Sequence, residues 1–303
     1  MGLLAILISS NVLFAQAAPR QDAESGLPTY RVQANEVQLT FSATDQNDRV
    51  IATLSAADFA VVDKDLIVRN FRSFRRAEYT RLDVAILLDN SSSIAPRFQK
   101  EVTQTLNLIS ETAGVPEESI AIVSFQGAEP VVLCKGDCRE RPAANLIPAK
   151  AVSQMTPLYD SLAFTADLLA RTPAAADPKV RRVVIVLSDG DDTISRDSAG
   201  QAVAELVKND VQVYTLDANK SEYSHGSLFL QKLAAATGGR SFRLSDRAGA
   251  VADAVLADFH ASYQVTYRVP NSGAEFHSVR ILPTHNLNLN FRCRQGYIDP
   301  AGR

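Results

Sequence analysis

From Leu82 to Phe259 two hydrophobic rhythms take turns along the chain. Short, nearly continuous apolar runs (DVAILL from Asp83, SIAIVSF from Ser119, VVIVLS from Val183 and VQVYTL from Val211) predict strands buried on both faces. Between and after them, apolar residues recur every three or four positions, the spacing that places them on one helical face. The faces carry Phe98, Val102, Leu106 and Ile109; Leu158, Leu162 and Leu169; Val203, Leu206 and Val207; Leu230 and Leu233; and Val251, Val255 and Phe259. Strand–helix alternation of this kind predicts a doubly wound, Rossmann-like α/β sheet over residues 80–262.

On either side the pattern is strand-like. Val37, Leu39 and Phe41 alternate and then stop at the turn cluster Asp45-Gln46-Asn47-Asp48. Val50-Ile51, residues 59–62 and residues 67–74 supply further candidate strands in a segment spanning 28–79. After Ala261 come YQVTYRV, HSVRILP and LNLNFRC, with Asn271-Ser272-Gly273 as a turn between the first two. Neither flank has many strands to bury by itself. The expectation is that residues 263–299 pair with the N-terminal segment in one small β-sandwich.

Composition narrows the function classes. The chain has 303 residues with 31 Lys+Arg against 34 Asp+Glu, a net charge of −3. That balance offers no basic surface for nucleic acid. No run of 18 or more apolar residues predicts a spanning helix. Residues 1–17 are mostly apolar and end in Ala15-Gln16-Ala17, a small-x-small cleavage pattern, although no basic residue precedes Arg20. They read as a signal peptide of a periplasmic or secreted protein, against a core-buried or disordered N-terminus. Cys134 and Cys138, in CKGDC, could close a small loop in an oxidising compartment or stand as unlinked thiols. Cys293, in a strand-like segment, reads as a small buried hydrophobe.

Three loops carry candidate chemistry. Asp89, Ser91 and Ser93 form D-x-S-x-S directly after the first α/β strand. Thr156 lies in MTPLYDSL, where Pro157 suits the first helical position, and Asp189 follows the strand VVIVLS. Ligands of open α/β sheets bind outside the carboxyl ends of the strands, where such loops gather. Two carboxylates and three hydroxyls are hard oxygen donors suited to Mg²⁺. Each piece also has a local reading: a helix N-cap for the D-x-S-x-S loop and for Thr156, and a turn for Asp189-Gly190. Asp160, Asp191 and Asp192 either cap and solvate these loops or orient the ligands.

Taken together, LLDNSSSI, TPLYDSL and VIVLSDGDDT, with LSAADFAVVDKD, LAAATGGRSF and YQVTYRVP…FRCRQGYIDP, resemble a von Willebrand factor type A (VWA) domain protein. The likeness is strongest to the bacterial, acidobacterial-type VWFA-related family, and it spans about residues 30–300. The resemblance implies a metal-ion-dependent adhesion site, or MIDAS, at Asp89, Ser91, Ser93, Thr156 and Asp189. It also implies a divalent cation, Mg²⁺ before Ca²⁺ or Mn²⁺, and a protein partner that presents Asp or Glu to it. Asn90 and Ser92 depart from the family's commoner Thr and Gly, and Gln154-Met155 from its Gly pair. No enzyme is expected: no His lies in the three loops, and neither a nucleophile elbow nor a phosphate loop occurs. The competing classes are an intracellular VWA assembly factor acting beside an ATPase and a metal-dependent hydrolase. On this reading Asp89→Ala removes a charge from an exposed loop and leaves folding nearly intact.

Overall fold

The computed structural model describes residues 36–79, 81–91, 102–103, 118–125, 127–136, 138–140, 155–172, 179–246, 249–270 and 276–298. The signal-peptide segment, Ser93, the turn at Asn271-Ser272-Gly273 and most of the helix through Phe98 lie outside the described residues.

In chain order the strands begin with β1 (Glu36–Thr44), β2 (Phe59–Asp63), β3 (Leu66–Val68) and β4 (Ser73–Arg76). The α/β portion follows with β5 (Arg81–Asp89), β6 (Glu118–Phe125), β7 (Pro130–Lys135), α1 (Leu158–Ala170), β8 (Val180–Ser188), α2 (Ala199–Lys208) and β9 (Val211–Asp217). It ends with α3 (His225–Thr237), β10 (Ser241–Arg243) and α4 (Ala250–Ala261). The chain then returns to strands in β11 (Tyr263–Arg268), β12 (Phe276–Pro283), β13 (Asn290–Cys293) and β14 (Gly296–Ile298).

The six-stranded sheet has the order β10-β9-β8-β5-β6-β7 and is parallel except for β7. Strand side chains alternate between its faces. Leu82, Val84, Ile86 and Leu88 pack with Val183, Ile185 and Leu187 against Val251, Val255 and Phe259 of α4. Ala85, Leu87, Val184 and Val186 face the other way, against Leu158 and Leu162 of α1, Leu206 of α2, and Leu230 and Leu233 of α3. The unbroken apolar runs therefore serve two cores at once. The sequence reading missed β10, with three residues, and β7, an antiparallel edge strand whose Val131 and Val132 stay exposed. Such short edge strands bury too little to leave a periodic signal. A disulfide joins Cys134 of β7 to Cys138.

The flanks share two further sheets, β13-β1-β11-β4 and β14-β12-β2-β3. The antiparallel pairs β1–β11 and β2–β12 each join an N-terminal to a C-terminal strand. Between the sheets lies an aromatic core in which Phe41 sits 5.0 Å from Phe59 and 5.7 Å from Tyr263, ring centre to ring centre. Buried in the same sandwich, Asp63 accepts from Tyr267 Oη at 2.9 Å and Tyr297 Oη at 2.6 Å, and its other oxygen meets His277 Nδ1 at 2.7 Å. The expected sandwich of the two flanks is thus present. Cys293 is half-buried rather than fully enclosed, and burial pushes its thiol up to about 12.

One buried clasp joins the α/β portion to the sandwich. Asp258 of α4 takes a bidentate contact from Arg292 of β13 at 2.8 and 3.0 Å, and Tyr214 Oη of β9 donates to it at 2.5 Å.

Candidate functional site

The central strand β5 has β6 on one side and β8 on the other, so the chain reverses its direction of sheet building there. This is the switch point where loops part to leave a crevice at the carboxyl edge. Asp89 ends β5 and Asp189 directly follows β8, so both carboxylates leave the sheet at that edge.

Hydrogen bonds then tie the loops together. Ser188 Oγ donates to Asp89 Oδ2 at 2.8 Å and accepts from Gly190 N at 2.9 Å, linking the end of β5 to the loop after β8. Asp89 Oδ1 accepts from Ser91 N at 2.9 Å, a local turn that fixes where the D-x-S-x-S segment starts. Thr156 N donates to Thr193 Oγ1 at 2.8 Å, the two hydroxyls lie 3.3 Å apart, and Thr193 N returns a bond to Thr156 O at 3.0 Å. Thr156 therefore does not cap α1. The first amides of that helix go to side chains of the Asp189 loop instead: Tyr159 N to Asp192 Oδ2 at 3.1 Å and Asp160 N to Ser195 Oγ at 3.1 Å. Asp160 in turn accepts from Arg196 N and Asp197 N at 3.0 and 2.8 Å. Asp160 and Asp192 thus bind two of the candidate loops to each other.

Beneath this face, Asp217 at the end of β9 accepts from Asn219 N and from Ser227 Oγ, and Asn219 Nδ2 reaches Asp189 O at 2.6 Å. Gly190, at φ +82°, faces Gly226 in the first turn of α3, and a Cβ on Gly226 would fall 2.0 Å from Asp189 O. Only a residue without Cβ allows that approach. We expect Gly226→Ala to cost about 1–3 kcal/mol by overpacking, read as a lower urea midpoint with the helical circular dichroism retained.

Ser188, Thr193, Asp217, Asn219 and Gly226 were not singled out from the sequence. Asp217 had a signal, since like Asp89 and Asp189 it closes an apolar strand; the others meet the site only through tertiary contacts. Asn90 is also buried, and among the described residues neither its Nδ2 nor its Oδ1 has a partner.

The electrostatics follow from this burial. Desolvation raises the Asp89 carboxyl above its ordinary value, more than the bonds from Ser91 and Ser188 lower it, and the charge of Asp191 adds to the rise. Burial also raises Asp189, with Asp89 and Asp191 contributing through like-charge repulsion. With both groups ionised, negative charge accumulates at the sheet edge against the preference of the fold. Asp89 is fully buried, which corrects the view of it as an exposed-loop residue. Removing it leaves Ser188 Oγ and Ser91 N without their acceptor.

A family model described as the von Willebrand factor type A domain matches residues 83–255, more than half of the chain. The chain belongs to the VWA domain family. This VWA domain is similar in structure to a von Willebrand factor type A protein from Catenulispora acidiphila, with 12% identity and a TM-score of 0.46, covering 89% of this chain and 75% of that one. It is also similar to proximal thread matrix protein 1 from the mussel byssus, with 18% identity and a TM-score of 0.44, covering 65% of this chain and 49% of that one. No curated protein matches it in sequence.

The donor set of the VWA domain fits a hard divalent cation. Among the described residues no cluster of three or more Asp, Glu, His or Cys is placed to hold a metal. Asp89, Ser91, Thr156 and Asp189 offer hard oxygen donors from loops bound to one another, two of them carboxylates.

Proposed function

We propose that this VWA domain is an exported, metal-dependent protein-binding module. Asp89, Ser91, Thr156 and Asp189, with Ser93 outside the described residues, would hold Mg²⁺, or Ca²⁺ or Mn²⁺ in its place. When bound, the cation supplies an open coordination position for an Asp or Glu side chain of a partner. The observation that carries the reading is the meeting at the switch point of two carboxylates, Asp89 at the end of β5 and Asp189 after β8, joined through Ser188 and with Thr156 held to the same loop by Thr193. Ser188, Thr193 and Asn219 hold Asp89, Thr156 and the Asp189 backbone, so these donors need little rearrangement on binding.

Binding rather than catalysis is favoured by the positions of the histidines. His277 is enclosed in the sandwich with Asp63, His260 lies on α4, and His285 contacts Ala57 O. His225 opens α3 near the site, and among the described residues no site side chain hydrogen-bonds to it. VWA domains are commonly protein-interaction modules, and the Cys134–Cys138 bridge suits an oxidising compartment. The acidobacterial-type subfamily is part of the same proposal and rests on the sequence motifs. An assembly factor acting beside a cytosolic ATPase is the alternative, favoured by intact Met1 on a cytosolic pool.

The test is capture of exported-compartment proteins by the immobilised chain in 5 mM Mg²⁺, roughly the weak range suited to a site of few charges, followed by elution with EDTA. A partner released by EDTA and recaptured on adding Mg²⁺ is expected. Capture indifferent to chelation sinks the metal-dependent reading.

A further inference from the structure

Away from the metal face, a groove of about 560 Å³ runs between α2 and α3 on one side and the sandwich on the other. Its walls include Val207, Phe229, Leu233, Phe276 and Ile298. Ala204 and Ala236, small residues facing it from the two helices, leave the space open. Phe276 and Ile298 are register partners on β12 and β14, and they stay 59% and 49% exposed. The Phe276 ring lies over Gly296, where a Cβ would fall 2.0 Å from its Cζ. Large apolar side chains around an open groove of this size are the usual lining of a small-molecule site, for which ~300–1,000 Å³ is typical.

The polar groups of the lining narrow the ligand. Among the described residues it has one charged side chain, Lys232, and one amide, Gln295. Lys232 forms no ion pair with any described residue. One ammonium beside an apolar trough complements one negative charge on an apolar tail. A doubly charged phosphate favours an arginine fork, and no arginine lines this groove. A peptide fits less well, because most of the helical lining, Val203 to Val207 of α2 and Phe229 to Leu233 of α3, lies inside the helices, where backbone groups are already paired and would leave a peptide's own amides unmatched.

We infer that this groove binds a single-chain amphiphile bearing a carboxylate, a medium- or long-chain fatty acid, with its tail between α2, α3 and Phe276 and its headgroup at Lys232. The inference is independent of the metal site, none of whose residues line the groove.

Dodecanoate, titrated below its micellar concentration into the full chain with EDTA present, is the probe. One saturable site per chain is expected, with a negative heat-capacity change from apolar burial. Lys232→Glu should weaken dodecanoate at least tenfold while weakening dodecanol little, and Ala204→Phe, at an exposed helical position, should abolish binding of both with the circular dichroism unchanged. Absence of saturable binding to the wild type, or binding that survives both substitutions, overturns the inference. Self-association in sedimentation velocity that Ala204→Phe removes, without dodecanoate binding, overturns it in favour of an interface between copies.

Discussion

Asp258→Ala is expected to lower the unfolding free energy by about 3–5 kcal/mol, the range for breaking a buried ion pair from one side. The cost comes from what is left behind. Arg292 loses both of its bonds to the carboxylate, and Tyr214 Oη, inside the α/β core, loses its acceptor. The clasp also ties α4 to β13, so its loss separates two parts that fold against each other. Burial raises the Asp258 carboxyl, but the charge and hydrogen bonds of Arg292, with the bond from Tyr214, outweigh it and hold the group below its ordinary value of 3.8. An acid whose folded value is depressed stabilises the fold above its unfolded value and loses that contribution as pH falls through the folded one. Urea unfolding of wild type and Asp258→Ala should differ most at neutral pH and converge below about pH 3.8. A difference under about 1 kcal/mol at pH 7, typical of an exposed pair, would falsify this role for the clasp.

Asp89→Ala should act twice. It should eliminate the response to Mg²⁺, which in the wild type is worth about 1.4 kcal/mol at tenfold excess over Kd, together with EDTA-sensitive partner capture. It should also weaken the metal-free fold by about 1–3 kcal/mol, because Ser188 Oγ and Ser91 N lose a buried acceptor. Asp189→Ala separates the two effects. Asp189 is only partly buried, and among the described residues its side chain accepts a single hydrogen bond, from Asp191 N at 3.2 Å. It should lose the Mg²⁺ response at smaller cost to folding. Urea unfolding at several Mg²⁺ concentrations measures both quantities. If either variant keeps the wild-type response, the metal assignment fails.

The sequence by itself determined the α/β architecture and three of the loops. Unbroken apolar strands and helical faces at three- and four-residue spacing follow from burial, and burial leaves its period in the chain wherever an element is long enough. Hence Leu82–Leu88 and Val183–Leu187 were legible as strands, and Leu158, Leu162 and Leu169 as one face of a helix. Asp89 and Asp189 were legible because each interrupts an apolar run at its carboxyl end. Only the tertiary structure decided the rest. That the flanks pack together followed from how few strands each has, but which strand meets which did not: β1 pairs with β11 more than 200 positions away, and no local pattern encodes a partner at that distance. The roles of Thr193, Asn219 and Gly226 arise where separate loops meet, as does the clasp from Asp258 to Arg292. Hydrogen bonds between side chains distant in sequence have no periodicity, since their geometry is set by how the sheet and helices pack after each has formed.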